Sequence, residues 1–425
     1  MDIVNITPAM LAGKVRIPPS KSFAHRAVIA AFLSKGSCRL DNIQLSDDIS
    51  ATIGCIAAMG ADCSFDEKKR ALTVKGGGLA PKNKRLLLDC GESGSTLRFF
   101  IPIALALGFD CEFVGHGRLM KRPLDPYINI FNERNIKYRF TENSLITDGR
   151  LGCGKFVVNG GISSQFITGL LYALPILDGD SEIIIEGRLE SRAYIDISIA
   201  VLKDFGIKII NENYEKFIIK GGQSYKCRNY SVEGDFSQAA FFLVAGALGC
   251  DISCTGLNRK SIQGDREIID IIEKTGAVAE YGSHGEISAK CRNGLVGGIT
   301  VDAGEIPDLV PILAVLLSFC RGESKIVNAG RLRIKESDRL KAISSELSHL
   351  GADITEGSDY LKICGRQTLN GTTVSAWNDH RIAMAAAIAA CRCEGDVGIT
   401  GAQKAVKKSY PEFFNDYSAL GGIVK

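Results

Sequence analysis

Three short stretches of the sequence place cations where helices normally bind anions. PPSKSFAHR sets Lys21 and Arg26 at the start of the apolar run AVIAAFL. GESGSTLR and NDHR place Arg98 and the pair His380 and Arg381 at the start of similar runs. The free N–H groups and the dipole of a helix N-terminus attract anions and disfavour cations. Ordinary helix caps would explain the Ser, Asp and Asn residues of these loops, but the repeated cations predict a bound anion.

Further basic residues follow the apolar runs, namely Arg118, Lys121, Arg122, Arg331, Lys335, Arg339, Lys407 and Lys408. Arg331, Lys335 and Arg339 are spaced four apart, which predicts one face of a helix. The whole chain has a formal charge of only +3, so these cations are a local concentration. They indicate a cleft that receives several acidic groups, most simply from two small anionic substrates. A solvated charged surface is the alternative.

Two carboxylates accompany these cations, Asp308 in EIPDLVP and Glu336 in KESDR. Paired acids in different environments suit removal of a proton at one atom and its delivery at another. A helix cap for Asp308 and a local ion pair for Glu336 are the structural alternatives. No phosphate-binding loop or dinucleotide fingerprint predicts a nucleotide. The low net charge and the lack of an aromatic-rich basic stripe argue against nucleic acid.

An internal repeat organises these loops. Six glycines, each ending an apolar run and starting a short β-like segment, follow one another at intervals of 70 to 73 residues: Gly36, Gly108, Gly179, Gly249, Gly322 and Gly395. A strand, a polar loop and a mostly apolar helix precede each glycine, and a second helix with further strands follows. We therefore expect an α/β fold of six βαβαββ-like units whose first helices are buried.

The composition is that of an ordinary globular protein. The 425 residues are 45% hydrophobic and 23% charged, and this length favours two domains. The 14 cysteines are scattered, and the first residues lack the pattern of a signal peptide, so we expect reduced thiols in a cytoplasmic protein. No apolar stretch is long enough to span a membrane, and no zinc-ligand spacing occurs.

Ten ordered motifs along the whole chain resemble those of the EPSP synthases (3-phosphoshikimate 1-carboxyvinyltransferases), within the enolpyruvyl transferase family. These motifs are PPSKSFAHR, GESGSTLR, LMKRP, SSQF, SRAYID, VEGDFSQAA, IPDLVP, RIKESDRL, NDHRIAMA and KKSYPEFF. The resemblance implies a two-domain inside-out α/β barrel with three repeats per domain, helices inside and sheets outside. One domain would span residues 21–234 and the other residues 1–20 with 235–425, with hinges near 20 and 234 that let the domains close on substrate.

The resemblance also implies a reaction and its residues. The enolpyruvyl group of phosphoenolpyruvate is transferred to the 5-hydroxyl of shikimate 3-phosphate by addition and elimination, with release of phosphate, as the sixth step of chorismate biosynthesis. The positions that match shikimate 3-phosphate contacts are Lys21, Ser22, Arg26, Ser163, Ser164, Gln165, Ser191, Tyr194, Asp308 and Lys335. Those that match phosphoenolpyruvate contacts are Lys21, Gly94, Arg122, Gln165, Arg339, Arg381 and Lys408.

The same resemblance assigns proton transfer. Asp308 matches the acceptor of the 5-hydroxyl proton and Glu336 the donor to the methylene carbon, with Lys21 and His380 assisting. No metal or organic cofactor, no nucleic acid and no membrane is implied, and the protein is expected to be a monomer.

Four positions depart from the family's usual pattern, namely Glu92, Ser95, Arg331 and Leu332, whereas Gly94 keeps it. Glu92 stands where many members have Asn, and we expect its carboxylate to face away from phosphoenolpyruvate. Arg331 replaces the Asn of a frequent Asn-Trp pair. Gly94 is kept, so the chain lacks the Ala change that excludes the inhibitor glyphosate.

Two alternative functions remain open from the residues. The sister transferases that act on UDP-N-acetylglucosamine show Lys-Asn at the position of Lys21 and Ser22, and a reactive Cys where this chain has Gly117. A non-catalytic phospholigand-binding protein would use the cations but has little use for Asp308 and Glu336.

Overall fold

The computed structural model describes residues 2–80, 84–283 and 285–425. These residues form a mixed α/β fold that divides into two compact units. The N-terminal unit is Pro19–Val232, and the C-terminal unit combines Met1–Pro18 with Glu233–Lys425. Each unit has its own hydrophobic core.

Thirteen α-helices lie within the described ranges: Lys21–Leu33 (α1), Asp47–Ala58 (α2), Gly94–Leu107 (α3), Asp125–Glu133 (α4), Ser164–Ala173 (α5), Arg192–Asp204 (α6), Phe236–Ala247 (α7), Ile268–Lys274 (α8), Val310–Leu317 (α9), Arg339–His349 (α10), His380–Ala389 (α11), Ala402–Val406 (α12) and Phe413–Ala419 (α13). The apolar first helices predicted from the sequence are confirmed as α1, α3, α5, α7, α9 and α11, and most of their residues are buried. None of the helices in these ranges has the length and hydropathy that crossing a membrane requires.

The strands of the described residues are Ile3–Thr7 (β1), Ala12–Arg16 (β2), Gly36–Asp41 (β3), Asp62–Asp66 (β4), Ala71–Gly76 (β5), Leu86–Asp89 (β6), Cys111–Val114 (β7), Lys137–Phe140 (β8), Ser144–Asp148 (β9), Gly154–Asn159 (β10), Ser181–Glu186 (β11), Ile209–Glu212 (β12), Lys216–Ile219 (β13), Tyr230–Ser231 (β14), Asp251–Thr255 (β15), Val278–Tyr281 (β16), Ile287–Lys290 (β17), Thr300–Asp302 (β18), Glu323–Val327 (β19), Asp353–Glu356 (β20), Leu361–Cys364 (β21), Leu369–Asn370 (β22), Thr373–Ser375 (β23), Cys393–Glu394 (β24), Val397–Thr400 (β25) and Ile423–Val424 (β26).

Six four-stranded sheets in this part of the chain share one order, in which a parallel pair is followed by two antiparallel neighbours. The N-terminal unit contains β14-β3-β5-β4, β6-β7-β9-β8 and β10-β11-β13-β12. The C-terminal unit contains β2-β15-β17-β16, β18-β19-β21-β20 and β23-β25-β1-β26, and β22 pairs with β24. Because β1 and β2 complete two of these sheets, the first residues of the chain belong to the C-terminal unit.

Close packing between α3 and α5 sets the geometry of two predicted site loops. A Cβ on Gly169 would come 2.5 Å from the carbonyl oxygen of Arg98, so only glycine allows these helices to approach so closely. The Tyr127 hydroxyl then donates to the carbonyl oxygens of Arg98 at 2.6 Å and Phe166 at 3.1 Å. This contact holds the N-termini of α3 and α5 near each other.

The predicted helical face of Arg331, Lys335 and Arg339 is wrong. Gly330–Ile334 form a 3₁₀ helix, and the backbone is extended at Lys335. The helix α10 begins only at Arg339, because the Asp338 side chain caps its N-terminus by accepting from the Lys341 N–H. Side chains from this segment therefore reach their partners from a bend and not from one face of a helix.

Candidate active site

The N-terminal unit holds ten of the predicted site residues, Lys21, Ser22, Arg26, Gly94, Arg122, Ser163, Ser164, Gln165, Ser191 and Tyr194. The C-terminal unit holds the other seven, Asp308, Lys335, Glu336, Arg339, His380, Arg381 and Lys408.

Arg26 is a buried cation whose hydrogen-bond partners are all neutral. Its Nε donates to Ser198 Oγ at 2.8 Å, and its other donors reach Thr168 Oγ1 and the carbonyl oxygens of Ser22 and Tyr194. Within the described residues, no carboxylate lies at ion-pair distance from it. Burial lowers the pKa of Arg26 to about 10, so it stays charged at neutral pH. A buried guanidinium without a counter-ion suits a site that receives an anion.

Lys21 opens α1 and is held by a carboxylate that the sequence analysis did not single out. Its Nζ lies 2.8 Å from Asp48 Oδ2 on α2, and both side chains are partly exposed. Ser20 caps the helix by accepting from the Phe23 N–H. Asp48 lies 27 residues from Lys21, and no local pattern in the sequence marks their pairing.

The N-termini of α3 and α5 bring two arginines and an amide together. Arg98 Nη1 donates to Gln165 Oε1 at 2.7 Å, and Gln165 Nε2 donates to Ser95 Oγ at 2.9 Å. A Cβ placed on Gly94, the first residue of α3, would lie 2.9 Å from Arg122 Nη1 and 3.7 Å from Arg98 Nη1. The backbone at Gly94 therefore lies against two guanidinium groups, an arrangement that suits a carboxylate or a phosphate.

Glu92 extends toward the loop that carries Gly117. Gly117 has a left-handed backbone with φ +57°, and a Cβ there would lie 2.7 Å from Glu92 Oε2. Both facts favour glycine over any residue with a side chain at this point.

Serines begin the other two helices of this unit's site. Ser163 caps α5 by accepting from the Gln165 N–H, and Ser164 is buried beside it. Ser191 precedes α6 in a left-handed conformation, with φ 58° and ψ 46°. A non-glycine residue held in this region stores strain, which is common at binding sites. Tyr194 lies one turn later, and its carbonyl oxygen accepts from Arg26 at 3.0 Å.

In the C-terminal unit, three cations converge on Asp308. Arg339 Nη1 lies 3.0 Å and Lys335 Nζ 3.7 Å from its Oδ1, and Arg381 Nη2 lies 3.1 Å from its Oδ2. Burial alone would raise the pKa of Asp308, but Arg381, Lys335 and Arg339 outweigh it and hold the pKa well below its usual value. Burial lowers the pKa of Lys335, against the opposing effect of Asp308.

Arg339 is the centre of this cluster and contacts three carboxylates. Besides Asp308, it reaches Glu336 Oε2 at 2.6 Å and Asp379 Oδ2 at 2.9 Å. Only 1% of its side chain is exposed. Burial would lower the pKa of Arg339, but Asp379, Glu336 and Asp308 together raise it well above the usual value. Arg339 is therefore a fixed cation.

The N-terminus of α11 supplies the remaining groups. Asp379 caps the helix by accepting from the Arg381 N–H at 2.9 Å, and it is fully buried. His380 is also buried, and its Nδ1 lies 4.0 Å from Asp379 Oδ1. Lys408 is buried and donates to the carbonyl oxygen of Asn378 at 2.7 Å. The sequence analysis missed Asp379, although an acid directly before a helix that starts with His-Arg is a recognisable cap.

The N-terminal unit presents an anion-binding set, and the C-terminal unit presents a set in which cations surround carboxylates. The first can bind phosphate or carboxylate groups, and the second adds groups that can accept and donate protons. A search of the described residues finds no group of three or more His, Cys, Asp and Glu side chains arranged to hold a metal ion.

Comparison with known proteins gives one family. The family model described as EPSP synthase (3-phosphoshikimate 1-carboxyvinyltransferase) matches residues 6–417. The 3-phosphoshikimate 1-carboxyvinyltransferase of Clostridium novyi is 50% identical over 100% of this chain and 98% of its own length. That of Clostridioides difficile is 49% identical, with the same shares covered.

Solved structures agree on the fold. EPSP synthase from Acinetobacter baumannii has a TM-score of 0.81 at 23% identity, with 100% of both chains covered. The enolpyruvyl transferase NikO from Streptomyces tendae has a TM-score of 0.79 at 18% identity, covering 100% of this chain and 98% of its own.

Proposed function

The chain belongs to the EPSP synthase family, and we propose that the two sets of charged residues described above bind and process this family's two substrates. The protein is a 3-phosphoshikimate 1-carboxyvinyltransferase of the shikimate pathway. It transfers the enolpyruvyl group of phosphoenolpyruvate to the 5-hydroxyl of shikimate 3-phosphate and releases phosphate. The alternatives, a transferase for UDP-N-acetylglucosamine and a non-catalytic binding protein, are not favoured.

Shikimate 3-phosphate is held chiefly by residues of the N-terminal unit: Lys21, Ser22, Arg26, Ser163, Ser164, Gln165, Ser191 and Tyr194. The buried charge of Arg26, which has only neutral partners, supports this assignment because a bound anion would neutralise it. The free N–H groups at the starts of α1 and α5 add donors for phosphate oxygens. Asp308 and Lys335 complete the set from the C-terminal unit.

Phosphoenolpyruvate is bound by Lys21, Gly94, Arg122, Gln165, Arg339, Arg381 and Lys408. The guanidinium of Arg122 lies against the backbone of Gly94, which leaves space for an anion only because Gly94 has no side chain. Arg339 and Arg381 are held by Asp308 and, in the case of Arg339, by further carboxylates. A bound carboxylate or phosphate would therefore share these two cations with Asp308.

The observation that carries the mechanism is this sharing of cations at Asp308. While Arg339 and Arg381 contact Asp308, its carboxylate is ionised but only weakly basic. Substrate anions that engage the same cations reduce their hold on Asp308 and raise its pKa. Asp308 then accepts the proton of the 5-hydroxyl as its oxygen attacks C2 of phosphoenolpyruvate.

Protonation at the neighbouring methylene carbon completes the addition. Glu336, which contacts Arg339 at 2.6 Å, takes up a proton from water as substrate anions weaken that contact, and it then donates this proton to the carbon. The Glu336 carboxylate, ionised by this donation, takes back a proton from the same carbon as phosphate departs, which forms the enol ether and returns Glu336 to its protonated state. Lys21 and His380 assist these proton transfers. Every group that this scheme uses comes from the chain or from the two substrates.

Several finer features belong to the same proposal. The two units are the enolpyruvyl transferase domains, residues 21–234 and residues 1–20 with 235–425, with hinges near 20 and 234. The six sheets with one strand order support six repeats in an inside-out α/β barrel, three per domain. The protein acts as a cytoplasmic monomer without a nucleic-acid partner.

The test is phosphate release from phosphoenolpyruvate by the purified protein, with shikimate 3-phosphate present, absent or replaced by UDP-N-acetylglucosamine. Release only with shikimate 3-phosphate is expected. The variant Asp308→Asn should reduce kcat by at least about 100-fold, the scale of a lost general base, while shikimate 3-phosphate still binds. Release with UDP-N-acetylglucosamine, or none with either acceptor from folded protein, would overturn the assignment. An unchanged kcat in Asp308→Asn would overturn the role of Asp308 alone.

A further inference from the structure

Cys38 and Cys227 are two thiols in direct contact at the surface of the N-terminal unit. Their sulfur atoms lie 3.0 Å apart, although 189 residues separate them in the chain. Cys38 lies on β3 and is buried, whereas Cys227 lies in the segment before β14 and is exposed. Cys227 also donates to the carbonyl oxygen of Ser37 at 3.0 Å. This site contains none of the residues assigned to catalysis.

The backbone holds these two thiols side by side. A parallel bridge joins Lys35 to Lys226 just before the pair, and Leu40 pairs with Tyr230 just after it. These pairings keep the segment that carries Cys227 beside β3, where the two sulfur atoms are already 3.0 Å apart, and a disulfide bond needs them to approach to about 2.05 Å. Joining Cys38 and Cys227 therefore requires rotation of side chains and not movement of strands.

Exposure separates this pair from the other neighbouring thiols. Cys55 lies beside Cys90, and Cys250 beside Cys391, but all four are buried. Of the exposed cysteines, Cys153 has no thiol partner among the described residues, whereas Cys227 has one.

We propose that Cys38 and Cys227 are a site of reversible oxidative modification, at which a hydroperoxide converts the two thiols into a disulfide. The exposed Cys227 sulfur attacks the peroxide, the O–O bond breaks, and Cys227 becomes a sulfenic acid while the peroxide is reduced to water or an alcohol. The Cys38 sulfur then attacks Cys227 Sγ, the S–O bond breaks, and the leaving hydroxide takes the Cys38 proton to form water. Two thiols lose two electrons, and the hydroperoxide gains them.

The order of these steps follows from access and protonation. Burial and the contact with Cys227 raise the pKa of Cys38 to about 11, so Cys38 stays a thiol at neutral pH. The nucleophile that meets a peroxide in solvent is consequently Cys227, and Cys38 is the resolving partner.

The disulfide would join β3 to the segment that leads into its neighbouring strand, β14. Cys38 on β3 and Cys227 before β14 lie near the two ends of the N-terminal unit, Pro19–Val232. A cross-link that closes nearly the whole unit removes conformational freedom from its unfolded chain. Oxidation should therefore raise the temperature at which this unit unfolds, and reduction should reverse the change.

The experiment uses the full-length protein and hydrogen peroxide as the probe. Free thiols are alkylated after treatment, and the protein is digested for mass spectrometry with an enzyme that cuts at acidic residues. Trypsin is unsuitable because it would cut at Lys35, Arg39, Lys226 and Arg228 and release very short peptides. We expect a linked Cys38–Cys227 peptide two hydrogens lighter than its parts, removed by dithiothreitol, and a rise in Tm of at least about 3 °C.

Two variants serve as controls. Cys227→Ser should abolish the cross-link and the Tm rise and keep the activity of the reduced enzyme, whereas Cys153→Ser should keep both responses to peroxide. Cys227 recovered as sulfinic acid with Cys38 still a free thiol would overturn the proposal. So would a cross-link that forms only under conditions that unfold the protein, or one that leaves Tm unchanged.

Discussion

His25 Nδ1 lies 2.7 Å from Thr52 Oγ1 in the interior of the N-terminal unit. Thr52 Oγ1 in turn lies 2.7 Å from Thr96 Oγ1, which lies 2.8 Å from Ser93 Oγ, the cap of α3. A buried chain of polar side chains thus connects α1, which carries Lys21, with α2 and with the N-terminus of α3. The N-termini of α1 and α3 both carry residues assigned to substrate binding. His25 stands at one end of the chain of polar side chains that connects them.

This arrangement predicts a stability that depends on pH through His25. Burial, with nearby Lys21 and Arg26, holds the pKa of His25 well below its usual value, so the folded protein keeps it neutral. The unfolded chain binds a proton below pH of about 6.5. His25 therefore contributes stability above that pH, and this contribution is lost progressively as the pH falls below it.

His25→Asn tests this dependence, because Asn keeps a polar atom near the Nδ1 position and does not titrate. Thermal unfolding at pH 7.5 and 5.5 should show a smaller acid-induced drop in Tm for His25→Asn than for the wild type. His116→Asn, at an exposed histidine, should retain the wild-type drop. Equal drops in all three proteins would show that His25 does not control acid stability.

Substitution of Gly94 is expected to weaken the binding of phosphoenolpyruvate but not that of shikimate 3-phosphate. In Gly94→Ala the new Cβ would lie 2.9 Å from Arg122 Nη1, so the Arg122 side chain must shift, whereas the 3.5 Å to Gln165 Oε1 is an ordinary contact. We expect KM for phosphoenolpyruvate to rise by about tenfold, equivalent to about 1.4 kcal/mol, with little change in KM for shikimate 3-phosphate. Steady-state kinetics with each substrate varied in turn measures this.

Gly54→Ala is the matched control. Gly54 lies in α2, and a Cβ there would meet no atom within 4 Å. Both KM values should stay at their wild-type levels, and Ala should stabilise the helix by about 1 kcal/mol. A similar rise of both KM values in Gly94→Ala would mean that the substitution disturbs the site generally.

The sequence was informative where the signals are local. Apolar runs preceded by Ser or Asp predicted the buried helices and their N-termini, because a continuous apolar run and a helix cap are both local signals. Partners that are distant in the chain could not be predicted in the same way. Asp48 reaches Lys21 across 27 residues, and Asp379 reaches Arg339 across 40. Without the fold, nothing in either segment indicates the other.

The error at Lys335 has a physical cause of the same kind. The i, i+4, i+8 spacing from Arg331 to Arg339 fits a helix, but Asp338 is also a strong N-cap. With the bend before α10, Lys335 and Arg339 both reach Asp308 Oδ1, at 3.7 and 3.0 Å. The backbone conformation of this segment thus fits ion pairs with a distant residue, which the spacing of charges along the sequence does not reveal.

Ser191 is expected to lower the stability of the N-terminal unit while its hydroxyl contributes to substrate binding. Its left-handed backbone, with φ 58°, costs a non-glycine residue about 1 kcal/mol, which glycine avoids. Ser191→Gly should therefore stabilise the N-terminal unit by up to about 1 kcal/mol, whereas Ser191→Ala should not. Both variants lose the hydroxyl assigned to shikimate 3-phosphate, so both should raise its KM by about tenfold or more.

Urea unfolding and steady-state kinetics separate these two effects. Arg70→Gly, at another left-handed position in the turn between β4 and β5, should gain stability and leave KM unchanged. An unaltered KM for shikimate 3-phosphate in both Ser191 variants would show that the Ser191 hydroxyl does not bind this substrate.

Replacing Arg339 by Gln is expected to cause a large loss of stability that depends on pH. Its side chain is 1% exposed and contacts Asp308, Glu336 and Asp379, so Arg339→Gln leaves three carboxylates without their shared cation. Removing one partner of a buried ionic cluster costs about 3–5 kcal/mol. Without Arg339, the pKa of Asp308 rises from its depressed value, so Asp308 binds a proton more readily as the pH falls. The loss should consequently be greatest near pH 7.5 and smaller at pH 5.

Urea unfolding of wild type and Arg339→Gln at both pH values measures this change. Arg333→Gln is the matched control, since Arg333 pairs with Asp338 and both side chains are about one-third exposed, so at most about 1 kcal/mol is expected. A loss in Arg339→Gln that is independent of pH would indicate a packing defect and not an electrostatic one. A loss as small as that of Arg333→Gln would mean that the three carboxylates are compensated by Lys335 and Arg381 without Arg339, and Arg339 would then serve substrate binding alone.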